Sequence, residues 1–242
     1  MANDVQYGIT GDGSIEDPFV VEHRRFVGTF MAETMCYNWI FRDCVFMNDM
    51  WMQTDTGNIP ATAATYLIII ENSTFYLGPN GCGIHFETTT GANLERNVFV
   101  RNNTVLNINP ATGGQTTAPD ILVKGAMGKT IIENNYVEGN IAASGAAAVN
   151  SVTIRNNTLV QALPTSGSGQ ITGEKLATPS EIYGNRAHYI SLSASSNTGQ
   201  KILVHDNVVN GTGSTLGNYG TIQVQGSGSD FDIYNNSISH SR

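Results

Sequence analysis

Apolar and polar residues alternate along most of this chain, and one short phrase carries the alternation. An apolar residue is followed by a polar one, a two-residue turn rich in asparagine, a polar residue and a second apolar residue. Ile132-Glu133-Asn134-Asn135-Tyr136-Val137 is the clearest copy. The phrase starts at Phe41, Ile70, Val100, Ile132, Ile154, Ile182, Val204 and Ile233, at separations of 29, 30, 32, 22, 28, 22 and 29 residues. Leu94-Glu95-Arg96-Asn97-Val98-Phe99 also fits it, so the third copy has two registers open to it. Self-similarity at a period of roughly 20–50 residues is the mark of a repeat architecture.

Side-chain chemistry decides the kind of repeat. The column of first positions is wholly apolar and mostly β-branched, which suits a strand facing a core. Two residues earlier, Trp39, Ile68, Val98, Val152, Ile202 and Phe231 repeat the period-2 signal, with Thr130 and Ser180 as exceptions. Asparagine tolerates left-handed backbone and bonds to its own main chain, so the turn is a tight corner. Asn-Asn beside β-branched residues in most copies opposes a helical repeat. Asn134, Asn156 and Asn235 are expected to stack as an amide ladder along one edge.

This grammar resembles the right-handed parallel β-helix of the pectate-lyase-like class over about residues 15–242. The resemblance implies an all-β, single-chain solenoid of about eight or more rungs, one domain spanning 1–242, with 1–52 as opening rungs, cap and contact region. The Gly-Asp-Gly-Ser-Ile-Glu-Asp-Pro-Phe-Val-Val stretch at 11–21 is similar to phrases that open such domains. It lacks the third glycine and the Lys-Ser/Thr of a phosphate loop. One more column supports the register: Arg42, Glu71, Arg101, Glu133 and Arg155 alternate in sign, then Tyr183, His205 and Tyr234 follow. On neighbouring strands about 4.8 Å apart these charges form an ion ladder, each opposite pair stabilising by roughly 0.2–1 kcal/mol.

Composition sharpens the picture. Charged residues make up 13% of the 242, so Thr, Ser, Asn and Gly must supply the surface, while a hydrophobic content of 40% excludes a disordered chain. A net charge of −8, with no basic cluster beyond Arg24-Arg25, argues against a nucleic-acid partner. No apolar segment follows Met1-Ala2-Asn3-Asp4, so no signal peptide is expected, and Tyr66-Leu67-Ile68-Ile69-Ile70 is too short to span a membrane. Cys36, Cys44 and Cys82 cannot all pair within one chain, which points to a reducing compartment. Five Asn-x-Ser/Thr sequons occur, four of them in the turn itself, and read as by-products of the turn.

The enzymes of the resembled class are mostly polysaccharide lyases, hydrolases and epimerases, which work through Arg or Lys bases or paired carboxylates. His85 and Glu87 share one strand face and form the best acid/base candidate, with Asp120 and Lys124 as neighbouring candidates to join them. Asp230-Phe231-Asp232 puts two carboxylates on one side, beside a turn that favours Asp anyway. The Asp-Pro-His of alginate epimerases is missing, since Phe19 follows Asp17-Pro18. No cofactor and no metal site is expected: Cys82-Gly83-Ile84-His85 lacks a second ligand pair.

Residues 30–52 hold both tryptophans and five of the seven methionines. Such a stretch serves as a hydrophobic lid over open strand edges or as an adaptable contact surface. Trp51, Met47, Met50, Met52 and Trp39 are the candidate partner-binding residues, Trp51 foremost because Trp39 also fits an inward column. The expectation that follows is a structural virion protein assembled in the host cytoplasm: a tailspike-like capsid decoration (cement) protein, homotrimeric, bound to the major capsid protein or another virion protein. The alternatives are a polysaccharide depolymerase or lyase and a non-catalytic module that binds glycan.

Overall fold

A computed structural model describes residues 8–32, 38–54, 65–77, 83–88, 95–108, 113, 120–124, 129–144, 151–160, 169–176, 179–194, 201–212, 221–226 and 231–241. Among them are 27 strands and no helix. The strands form sheets of ten, nine and eight, and the chain visits these in that order on each circuit: Phe19–Glu22, Arg25–Phe26, Phe30–Ala32, then Trp39–Arg42, Val45–Phe46, Met50–Thr54. From Phe19 onward, consecutive strands therefore lie in different sheets, and each pairs with a strand one circuit away. Every pairing is parallel except that of Ile9–Thr10 with Phe19–Glu22. The result is a solenoid-like stack of three long parallel sheets.

The apolar column sets the register. Val21, Phe41, Ile70, Val100, Ile132, Ile154, Ile182, Val204 and Ile233 are successive partners across the ten-stranded sheet. Val100, not Leu94, thus begins the third copy, and Val21 adds a member ahead of the first. From Phe41 to Val204 these side chains have no accessible surface, as expected of apolar β-branched residues enclosed between sheets. Trp39, at 7% exposure, belongs to the same core, as do Met50 and Met52, both at 0%. These three are core residues, which removes Trp39, Met50 and Met52 from the contact set: period-2 alternation turns Met50 and Met52 inward while Trp51 between them turns out.

The opening circuits are packed with aromatic rings. Phe46 stacks on Phe26 and Phe75 at 4.6 and 4.5 Å, Trp39 on Phe41 at 5.4 Å, and Phe30 meets Phe41 edge-on at 5.0 Å. Each such pair contributes about 0.5–1.5 kcal/mol beyond area burial. The 11–21 phrase forms a turn over this end: Asp12 and Gly13 N–H groups both donate to the Asp17 carbonyl, and Asp12 Oδ1 accepts from Ser14 N–H at 2.8 Å.

The asparagine turn divides its labour between two positions, and this corrects the expected ladder by one residue. Asn72, Asn102, Asn134, Asn156 and Asn235 are exposed or half-exposed and left-handed, with φ of 52–56°. The ladder is formed by the next residue: Asn103, Asn135, Asn157, Asn185 and Asn207, all buried, and the half-buried Asn236. Each Oδ1 accepts the backbone N–H of the residue one circuit earlier, at 2.9–3.0 Å. Ser73 and Cys44 occupy the same column ahead of Asn103; Ser73 Oγ accepts from Cys44 N–H at 3.0 Å. Cys44 is a buried free thiol, its pKa pushed up by burial, whereas Cys36 and Cys82 lie outside the described residues.

Candidate functional site

His85 and Glu87 sit on Ile84–Thr88 in the eight-stranded sheet. Ile84 and Phe86 point into the core, so alternation sends His85 and Glu87 to the outer face. Parallel register then sets their neighbours: Trp51 and Leu122 flank His85, and Gln53 and Lys124 flank Glu87. Lys124 Nζ lies 2.7 Å from Glu87 Oε1, and His85 Nε2 lies 3.4 Å from Glu87 Oε2. The Trp51 ring covers His85 at 4.2 Å with a 30° tilt. His85 is only 6% exposed, and neither ring nitrogen has a hydrogen-bond partner. Burial holds its pKa below the usual value; Glu87 opposes that shift and Lys124 adds to it. The imidazole is therefore neutral at neutral pH.

Chemically, this is a closed unit. The Glu87 carboxylate is tied to a lysine, and the ring that would exchange protons with it is sealed under Trp51. Trp51 is half-buried, with His85 and Met31 as its register partners on either side.

Asp120, the fourth residue expected nearby, is elsewhere in chemical terms. It has no exposed surface; Oδ2 accepts Asn140 N–H at 3.1 Å, and Asn107 Nδ2 approaches Oδ1 at 3.5 Å. Burial raises its pKa to about 8, against the Asn140 bond and with help from Glu138. Gly139 makes room for it: a Cβ there would fall 1.4 Å from Asp120 Oδ2. Asp230 lies outside the described residues, and Asp232 faces Lys201 at 3.5 Å. Among the described residues, no group of three or more His, Cys, Asp or Glu side chains is placed to hold a metal ion.

The charge column on the ten-stranded sheet forms pairs: Glu22–Arg42 at 2.6 Å, Glu71–Arg101 at 2.7 Å, and Glu133–Arg155. Arg155 also donates to Tyr183 at 2.9 Å, and there the column becomes a stack. His205 lies between Tyr183 and Tyr234 at 5.0 and 4.7 Å, almost parallel to both. Burial disfavours its charged form, but hydrogen bonds to Asp206 (2.7 Å) and Glu181 (2.9 Å) outweigh this and raise its pKa. A depression of about 660 Å3 lies beside this stack, lined by Lys129, Thr153, Glu181, Lys201 and Leu203; His85 and Glu87 do not contribute to it.

Most exposed large apolar side chains lie towards the two ends of the stack, with Ile108 and Tyr136 between them. Ile15 (53%), Val27 (75%) and Met31 (54%) lie in the opening circuits, and Val208, Ile233, Tyr234 and Ile238 in the last ones. Met31 adjoins Trp51 on the outer face. Neither Val27 nor Ile15 stands out in the sequence, because neither falls in a repeat column. Compared with protein families, curated proteins and solved structures, the chain matches none.

Proposed function

We propose that the protein is a structural component of a virus particle: a tailspike-like, right-handed parallel β-helix that decorates a capsid and binds it through apolar contact. One observation carries this reading. The opening circuits expose Ile15, Val27 and Met31 over a packed aromatic base, while the best acid/base candidates, His85 and Glu87, are engaged by Trp51 and Lys124. A net charge of −8 with 13% charged residues offers a partner little electrostatic grip, so apolar shape supplies the contact. Trp51 is the edge of that surface, beside Met31.

The test uses particles made without the protein and purified protein added back. Val27→Lys and Met31→Lys alter exposed positions, so both variants fold normally, and each lowers bound copies by at least about tenfold, as hot-spot contacts do. Normal binding by both variants contradicts the proposal. So does cleavage of a host polysaccharide, seen as new reducing ends or unsaturated uronates, that His85→Ala or Glu87→Gln abolishes.

A further inference from the structure

The outer face of the ten-stranded sheet carries two parallel columns, an apolar one and the charge column described above. Val20, Ile40, Ile69, Phe99 and Ile131 follow one another in register, with Thr153 next. All are half-buried except Ile131, at 9% exposure, and Leu67 extends the apolar patch at the strand start. Two residues further along each strand runs the charge column Glu22, Arg42, Glu71, Arg101, Glu133, Arg155. Its arginines keep 36–42% of their side-chain surface.

We infer that this face is a dimerisation surface for a second copy of the chain, packed antiparallel about a twofold axis that runs along the strands. The order of charges selects this arrangement. Read from Glu22 the column is −+−+−+, and read from Arg155 it is the complement. A twofold axis between Thr65–Glu71 and Glu95–Arg101 sets each Glu22 against the other copy's Arg155, Arg42 against Glu133, and Glu71 against Arg101. The same operation sets Ile69 against Phe99 and Ile40 against Ile131, apolar on apolar. Sheets packed face to face sit about 10 Å apart, within reach of Arg and Glu side chains meeting tip to tip. Level, parallel copies that met column to column would oppose like charges instead, so the column argues for a twofold pair over the threefold packing expected from the tailspike likeness.

Size sets the strength. The six strands have four to seven residues each. At about 4.8 Å between strands and about 3.3 Å per residue the face measures roughly 29 Å by 13–23 Å. Two such faces bury on the order of 1,000 Å2 in total, at the lower edge of specific interfaces. The dimer is therefore of micromolar strength and weakens as salt screens the charge column.

Sedimentation of the full chain over a range of concentration tests this. Wild type shows a monomer–dimer equilibrium. Phe99→Lys, or Ile40→Lys if the first variant melts early, weakens dimerisation at least about tenfold without lowering the melting temperature. Glu71→Arg and Arg101→Glu each weaken self-association. Mixed together they form a heterodimer tighter than either homodimer, because each new charge then meets its opposite across the interface. A purely intrachain role for the column cannot produce that rescue. A monomer at every concentration, a trimer, a dimer indifferent to Phe99→Lys and Ile40→Lys, or a mixture without rescue overturns the inference.

Discussion

Asn156 and Asn157 are the same amino acid doing different work. Asn156 is exposed, at φ 55°, and serves the corner. Asn157 is buried, and its amide is saturated: Oδ1 accepts from the Asn135 N–H and Nδ2, and Nδ2 donates to the Ile132 carbonyl and Asn185 Oδ1. Asn157→Ala strands at least two buried polar groups and costs about 2–4 kcal/mol. Asn156→Gly, which accepts left-handed backbone freely, stays within about 0.5 kcal/mol of wild type, and Asn156→Ala costs about 1 kcal/mol. Gly184 already fills the Asn156 position one circuit on, at φ 64°. Urea unfolding of the three variants measures this, and equal losses at 156 and 157 would place the ladder wrongly.

At the scale of elements, the corner built by Asn107, Asp120 and Asn140 ties successive circuits together through a carboxyl that stays protonated. With its pKa raised from 3.8 to about 8, Asp120 holds more protons folded than unfolded between those values. Stability therefore falls as pH rises from about 4 to about 8 and levels off above, since the slope follows the proton difference between the two states. Asp120→Asn keeps an acceptor for the Asn140 N–H, removes the charge, and flattens this slope. Denaturation midpoints at pH 5 and pH 9 differ less in the variant than in wild type; an unchanged difference would show that Asp120 ionises normally.

The strand columns themselves were legible in the sequence, because alternation in a strand has a period of two and a one-residue slip would have turned Phe41 and Ile70 outward. The position of the ladder was harder to read where two asparagines adjoin. A signal was present all the same. The first turn position includes Asp43, Gly184 and Asp206, and the second includes Cys44 and Ser73. Gly184 and Asp206 break the first column, whereas the second runs unbroken as asparagine from Asn103 to Asn236, so the second column is the ladder. For the candidate site, the sequence placed His85 and Glu87 on one face with Lys124 as a neighbour, and register sets Lys124 beside Glu87 from 37 residues away. The burial of His85 was not legible, since it depends on Trp51 from another circuit lying over the ring.

For the molecule as a whole, polar chemistry is spent on architecture. Carboxylates pair with arginines along one face, amides saturate one another along an edge, and the imidazoles of His85 and His205 are stacked against aromatic rings. Among the described residues, exposed apolar side chains lie mostly towards the ends, and a half-buried apolar column runs along one sheet face. The proposed decoration role rests on these apolar surfaces. The measurement that tests this most directly is a cryo-EM comparison of particles produced with and without the gene for this chain. The account predicts elongated density on the outer capsid surface, contacting it through the circuits that hold Val27 and Met31, which disappears when the gene is deleted. Identical particles in the two preparations, with the protein recovered only free in the lysate, would contradict it.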